Sequence, residues 1–433
     1  MDKQTYIDLE IFETKENNTS IFKMLDCTIT QGGSDALKNR FLHPFTRVEE
    51  IKQTQEIVEY LTQHTNEWSL TITEQDVKYA EHYISSSIVV FHVKKNIGGW
   101  ITAEQFQWQQ PDYFHFIKSS IESFHHLLQK LHSFLNPLLD KNVPQYILNL
   151  FSEVNNLLSV FQKENAEINK ISRVSTLMMD YKLRHDKKEN INNLLNAFYE
   201  ADALFAMSKS CRKYKLSMPE ISPKSKSFYI EDLRHLFIED AVENDLIVLN
   251  KNFIFLTGPN MAGKTTFIKA AAIAVFLAHI GMGIPAKNAT IPLFHEVFSS
   301  INIADNVQRG ESFFLAEILR LKELGKMFQS GKKAFAVLDE LFRGTNLKDA
   351  MDCTVLITEL LTKKNESFFI LTSHISELYE RLKENKNISF LYFESKNIND
   401  QIVFSYRCKE GITDERLGLM ILKNSGLPDL LSE

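Results

Sequence analysis

The chain has 433 residues, 44% of them hydrophobic and 24% charged, with a formal net charge of −6. That is enough for two or three domains with cores of their own, at the composition of a soluble globular protein. The acidic balance excludes a uniformly basic nucleic-acid coat but leaves room for a local basic groove.

No apolar run approaches the roughly 20 residues of a membrane span, and the opening residues 1–10 are too polar and acidic for a signal peptide. Cys27, Cys211, Cys353 and Cys408 are scattered without metal-like spacing. Together these predict free thiols, a reducing compartment and a cytoplasmic protein without a membrane partner.

In the first half, Gln31-Gly32-Gly33-Ser34 reads as a break, with Ser34 or Asp35 capping a helix that carries Leu37, Phe41 and Leu42 and ends at His43-Pro44. Val48 to Leu61 reads as a second helix. Residues 77–108 read mostly as helix, interrupted at Gly98-Gly99. From Ile121 to Leu138 apolar residues follow i, i+3, i+4 spacing, and further helices carry Ile147–Phe161 and Ile191–Phe205.

The first half therefore predicts an all-helical region with long elements. His125 and His126 are neighbours on a helix and do not share a face, so they make a poor metal site. Lys182, Arg184, Lys187 and Lys188 read as a solvated face, with DNA-backbone contact as the sharper alternative. The basic stretch of Lys209, Arg212, Lys213, Lys215, Lys224 and Lys226 reads as the entry to the next domain.

Beyond about residue 225 strands and helices alternate, which predicts a mostly parallel sheet covered on both faces. The apolar run Phe253–Leu256 reads as a buried strand. After it come Gly258, four residues, then Gly263, Lys264 and Thr265, and an apolar helix from Phe267 to Ile280. This strand–glycine loop–helix order is that of a phosphate-binding P-loop. Backbone N–H groups and the helix start supply the anion site, Lys264 reaches the outer phosphates, and the Thr265 hydroxyl suits Mg²⁺.

A second buried strand, Ala334–Leu338, ends in Asp339-Glu340. Asp339 is placed to hold Mg²⁺ and Glu340 to orient or deprotonate an attacking water; the bland reading of the pair is a helix N-cap. A third strand, Phe368–Leu371, runs into Thr372-Ser373-His374, where His374 can hydrogen-bond the terminal phosphate; taken alone, it would be a capping or packing histidine. Together the three elements specify ATP or GTP hydrolysis.

These motifs resemble those of the MutS family of DNA mismatch-repair ATPases. T-G-P-N-M-A-G-K-T-T at Thr257–Thr266 carries the Pro-Asn-Met insert that is unusual among P-loops, and D-E-L-F-R-G-T at Asp339–Thr345 and T-S-H at Thr372–His374 are similar to the family's acidic and switch motifs. Residues 303–317 resemble its signature segment, Ser20–Phe45 the start of its helical lever domain, and Arg416–Pro428 the end of its ATPase domain.

The resemblance implies an N-terminal all-helical lever domain over residues 1–220, then an ABC-type P-loop ATPase domain over residues 221–433: an α + α/β protein. It implies ATP and Mg²⁺ as cofactors. Nucleotide would lie on Gly258, Pro259, Asn260, Met261, Ala262, Gly263, Lys264, Thr265 and Thr266, with Asn260 also arranging the γ-phosphate and water. Ser312 would complete the site of a second subunit in a homodimer formed through the ATPase domains. DNA, whether duplex, mismatched or branched, is the implied partner, with other repair proteins beyond it.

Several departures bear on the substrate. The lever pattern begins within the first dozen residues, which predicts that the mismatch-reading and connector domains are missing. The short interval between lever portions predicts a reduced or absent DNA clamp. Phe151-Ser152-Glu153 spells the family's reading wedge, but Phe151 falls on an apolar helix face and reads as core. Asp240-Ala241-Val242-Glu243 lacks the aromatic expected to stack on adenine, and Glu311 stands where a basic or neutral residue is usual. The tail leaves little room for dimerisation helices. Three functions compete: an ATP-driven DNA-binding protein of mismatch-repair type, a MutS-derived ATPase acting on branched DNA or a protein partner, and a nucleotide-gated scaffold with little turnover. Intact Lys264, Asp339, Glu340 and His374 speak against the last.

Overall fold

Apolar residues recur at helical spacing up to about residue 213 and in short unbroken runs after it, and the chain folds accordingly. A computed structural model describes residues 1–14, 18–64, 72–136, 144–163, 172–223, 225, 227–301, 313–398 and 401–413. The helical stretch comprises α1 (Lys3–Asp8), α2 (Ile21–Leu25), α3 (Gln31–Leu42), α4 (Val48–Gln63), α5 (Glu74–Ser85), α6 (Ile97–Gln109), α7 (Pro111–Leu135), α8 (Gln145–Lys163), α9 (Arg173–Tyr181), a π turn at Lys182–Asp186, and α10 (Lys188–Lys213). Then follow β1 (Glu220–Ile221), β2 (Phe228–Leu233), β3 (Asn244–Val248), β4 (Phe253–Thr257), α11 (Lys264–His279), β5 (Asn288–Ile291), β6 (Glu296–Ser300), α12 (Phe313–Gln329), β7 (Ala334–Asp339), α13 (Leu347–Thr362), β8 (Phe368–Thr372), α14 (Leu378–Leu382), β9 (Ile388–Ile398) and β10 (Gln401–Glu410). Among the described residues no helix is long and apolar enough to cross a membrane.

By contact the chain divides into two units, one of residues 1–25, 40–55 and 210–433, the other of residues 26–39 and 56–209. Within the first unit, buried polar groups near the N-terminus find partners in the α/β part. Asp8, fully buried, accepts from Ser299 Oγ at 2.6 Å and from the Ile301 N–H at 3.1 Å. Thr5 Oγ1 accepts the Ser299 N–H at 3.1 Å. These bonds lay α1 along β6, the outer strand of the larger sheet, and a buried polar group needs such partners.

In the helical unit two glycine pairs read as breaks are instead first turns of helices. Thr30 caps α3, its Oγ1 accepting the Gly33 N–H at 3.0 Å, so Ser34 and Asp35 lie inside the helix. A Cβ at Gly33 would stand 2.2 Å from an Asp202 oxygen, and one at Gly32 2.5 Å from the Tyr199 ring. Asp202 itself accepts the N–H groups of Ile29 and Thr30 at 3.0 and 2.9 Å. Gly98 and Gly99 sit in α6 behind the Asn96 cap, where Gly99 packs against the Lys94 carbonyl. Residues 86–96 are not helical.

Arg184 is not part of a solvated basic face. It is 6% exposed and makes two 2.6 Å bonds to Asp180, with the Ile88 carbonyl accepting at 2.9 Å. Tyr83 donates to the same Asp180 at 2.9 Å. Lys224, Lys226 and residues 302–312 and 414–433, including Glu311 and the tail motif, lie outside the described residues.

In the α/β unit the larger sheet has the order β10-β9-β4-β8-β7-β6, parallel throughout except for the antiparallel β9–β10 pair. β4 and β8 are buried along their whole length, as central parallel strands covered on both faces must be. α11 is apolar nearly all round and buried from Phe267 to Leu277 except at Lys269, lying against β6, β7 and β8. A smaller sheet, β1-β5-β2-β3, packs through Phe228, which stacks on Phe335 and Phe368 at 5.3 and 4.7 Å. The molecule is thus mixed helix and sheet with a mostly parallel main sheet.

Candidate functional site

The carboxyl ends of three central strands meet at one place. β4 ends at Thr257 and the chain turns through Gly258, whose φ of +142° suits glycine and whose Cβ would lie 3.2 Å from the Phe393 backbone. Met261, at φ +70°, turns its side chain outward, 77% exposed. Gly263, at φ +99°, opens α11 with no side chain capping the helix start. The first N–H groups of α11 therefore have no side-chain cap, the arrangement in which a helix start can receive an anion.

Lys264 is 5% exposed, and its ammonium donates to the Gly258 and Pro259 carbonyls at 2.8 and 3.1 Å. Glu340 Oε1 lies 3.6 Å away. Burial pulls the Lys264 pKa below its ordinary value, and the charges of Glu340 and Asp339 oppose that. Thr265 Oγ1 donates to Asp339 Oδ2 at 2.9 Å, while Thr372 donates to the other oxygen of Asp339.

β8 lies between β4 and β7 in the sheet, so Thr372 joins the acidic pair to the P-loop. It also receives the Glu340 N–H, which lies 3.1 Å from both the carbonyl and the hydroxyl oxygen. Glu340 itself sits at φ +47°. Its Oε2 faces Arg343 at 2.5 Å and His374 Nδ1 at 3.3 Å. Burial pushes the Glu340 carboxyl upward, but the His374 hydrogen bond and the charges of Arg343 and Lys264 outweigh it and leave the pKa below the usual value. The carboxylate is charged at neutral pH.

A cavity of about 650 Å³ opens beside the loop, lined among others by Asn260, Thr266, His235, Ile238, Val242 and Tyr406. Tyr406 arrives from β10 through an irregularity in the register between Phe404 and Cys408, at φ +54°. Asn244 fixes that bulge, donating to the Tyr406 carbonyl at 2.9 Å and accepting the Cys408 N–H at 2.7 Å. A bulge beside a site commonly re-aims a side chain in this way, and the ring comes to within 3.4 Å of where a Cβ on Gly263 would stand. His235 is buried, which lowers its pKa to about 4 and keeps it neutral.

The structure thus brings together Gly258, Pro259, Asn260, Gly263, Lys264, Thr265, Thr266, Asp339, Glu340 and His374, with Ala262 buried beneath them. Ser312 lies outside the described residues. Sequence reading missed Arg343, Thr372 as a link and Tyr406. The first two were legible as members of recognised motifs, whereas Tyr406 follows only from the long-range pairing of β9 with β10.

This is the geometry of a P-loop protein of α/β type, with an acidic strand end facing the loop. The family model for MutS domain V matches residues 254–433. The DNA mismatch repair protein MutS of Thermosipho melanesiensis is 28% identical over 303 residues, 67% of this chain and 36% of that protein. Its namesake from Pseudothermotoga lettingae is 31% identical over 239 residues, 53% of this chain and 28% of that protein. The one from Staphylococcus haemolyticus is 27% identical over 248 residues, 56% of this chain and 28% of that protein. Over residues 254–433 the chain is thus similar to MutS domain V, and over 53–67% of its length to MutS proteins. It spans about a third of the length of the curated relatives it matches.

Proposed function

We propose that the chain is a Mg²⁺-dependent ATPase of the MutS type, whose nucleotide state is coupled to DNA binding in mismatch repair or related DNA processing. The observation that carries this reading is the meeting of Lys264 and Thr265 with Asp339 and Glu340 within hydrogen-bond and ion-pair range. On this reading residues 221–433 form the ATPase domain and residues 1–220 supply the helical lever that engages DNA. The protein works in the cytoplasm as a homodimer through its ATPase domains, with Ser312 reaching the partner's nucleotide and other repair proteins downstream.

The donor set suits the cofactor. Mg²⁺ takes one or two protein oxygens and completes its shell with phosphate and water, and Thr265 Oγ1 and Asp339 Oδ2 are two such oxygens, 2.9 Å apart. The metal would supply charge neutralisation across the phosphates. Lys264 would exchange its carbonyl partners for phosphate oxygens, and the α11 N–H groups would hold the remaining negative charge. Tyr406 and Ile238 would flank the base, in place of the aromatic lacking at Asp240–Glu243. Glu340, charged at neutral pH with its pKa lowered, is better suited to orient a water by accepting its hydrogen bond than to remove its proton. His374 donates toward the same carboxylate and stands ready for the terminal phosphate.

The test is steady-state ATPase activity with and without homoduplex, mismatched and junction DNA, alongside DNA binding at rising salt. DNA should change the rate, and binding should weaken steeply with salt, as phosphate contacts require. A rate indifferent to every DNA, with no binding at low salt, would remove DNA as the effector.

A further inference from the structure

Glu317, in the second turn of α12, is 2% exposed. Its Oε1 accepts the Phe342 N–H at 2.9 Å, and the Arg343 N–H also bonds to the carboxyl. Its Oε2 has no hydrogen-bond partner among the described residues. The receiving turn is held against backbone preference, with Glu340 at φ +47° and Phe342 at φ +66°. Two non-glycine residues in the left-handed region persist only where surroundings over-determine them. Gly344 adds a close approach: a Cβ there would lie 2.8 Å from the Phe314 nitrogen at the start of α12.

A carboxyl is a costly choice for this place. Burial raises its pKa to about 6, against the opposing pull of the Phe342 and Arg343 N–H groups and the Arg343 charge. An apolar residue would fill the space at less expense of solvation, but it would leave the N–H of the buried Phe342 without its acceptor.

We propose that Glu317 is a positioning residue, which holds the Leu341–Gly344 turn so that Arg343 meets Glu340 and the Glu340 carboxylate stays against Lys264. It acts through Arg343 and Glu340 and touches no nucleotide. The proposal rests on the nucleotide reading above, since its consequence is a rate.

The test uses the full chain as wild type, Glu317→Ala and Glu317→Gln. Hydrolysis of ATP with Mg²⁺ gives kcat and KM, hydrogen exchange follows the Phe342 and Arg343 amides, and a thermal melt reports folding. Glu317→Ala should lower kcat about tenfold to hundredfold, the scale expected when a reacting group is slightly misplaced. Its KM should stay within about threefold, because the binding groups are untouched, and both amides should exchange at least about tenfold faster. Glu317→Gln keeps an acceptor for Phe342 and loses the buried charge. It should melt no lower than wild type and show an intermediate kcat, which separates positioning from folding if the alanine variant is unstable. Wild-type kcat and amide protection in the glutamine variant and in a folded alanine variant would overturn the role of Glu317 while leaving the nucleotide site standing. A wild-type chain that neither binds nor hydrolyses ATP would overturn the nucleotide reading and this proposal with it.

Discussion

Thr265 Oγ1 donates a 2.9 Å hydrogen bond to Asp339 Oδ2, joining the first turn of α11 to the end of β7 across the intervening strand β8. Thr372 at the end of β8 donates to the other Asp339 oxygen, so the strand between them closes the link. Three segments separated by long stretches of sequence are thereby held in one hydrogen-bonded cluster.

Lys264→Met keeps the length of the side chain and removes the ammonium that the Gly258 and Pro259 carbonyls now hold. ATP binding should weaken at least about a hundredfold, since a buried cation near phosphate acts at low effective dielectric. The melting temperature should change little, because the lysine is itself penalised by burial and Glu340 keeps Arg343 as a partner. Titration with a fluorescent ATP analogue decides; undiminished affinity would remove Lys264 from the phosphate site.

Gly258→Ala and Gly331→Ala separate two costs of a glycine at positive φ. Gly331, at φ +76°, has nothing within 4 Å of an added Cβ, so alanine there should cost only the backbone term, about 1–2 kcal/mol. Gly258 adds Phe393 atoms at 3.2–3.3 Å, and its alanine variant should lose more stability as well as nucleotide affinity. Equal losses in chemical denaturation would show that the P-loop turn yields freely.

His279 should make the α/β unit sensitive to mild acid. Its Nδ1 donates to the Val275 carbonyl at 2.7 Å and its Nε2 accepts the Phe294 N–H at 2.9 Å, so the neutral ring fits both partners. Burial depresses its pKa to about 4. Below the ordinary histidine value the unfolded chain binds a proton that the native ring refuses, so stability falls as pH drops from about 6.5 to about 4. The contribution is on the order of 3 kcal/mol for a group this buried. His279→Gln should be less stable than wild type at pH 7.5, with the difference shrinking toward pH 5 in thermal melts. A difference constant across that range would contradict the assignment.

Much of the candidate site was readable because its motifs are local. Phe253–Leu256, the glycine loop and Lys264-Thr265 lie in one continuous stretch, and Asp339-Glu340 and Thr372–His374 each follow an apolar run that could only be a buried strand. What the sequence did not reveal depends on distant pairing. Gly32-Gly33 and Gly98-Gly99 read as breaks from the usual meaning of glycine, but these glycines make room for Tyr199, Asp202 and the Lys94 carbonyl inside helices. Arg184 looked like one of four surface cations until Asp180, one turn earlier, neutralised it in the interior. Asp8 and Thr5 gave no sign that they would fasten α1 along β6.

The most direct test of the account is Glu340→Gln, measured for ATP binding and for single-turnover hydrolysis with Mg²⁺. The amide keeps the size of the side chain and removes the negative charge that faces Lys264, Arg343 and His374. Binding should stay within a few fold of wild type while hydrolysis falls by at least about a hundredfold, the scale expected when the group that orients a reactant is lost. Hydrolysis at the wild-type rate would contradict the central claim that the β7 carboxylate opposite the P-loop governs turnover.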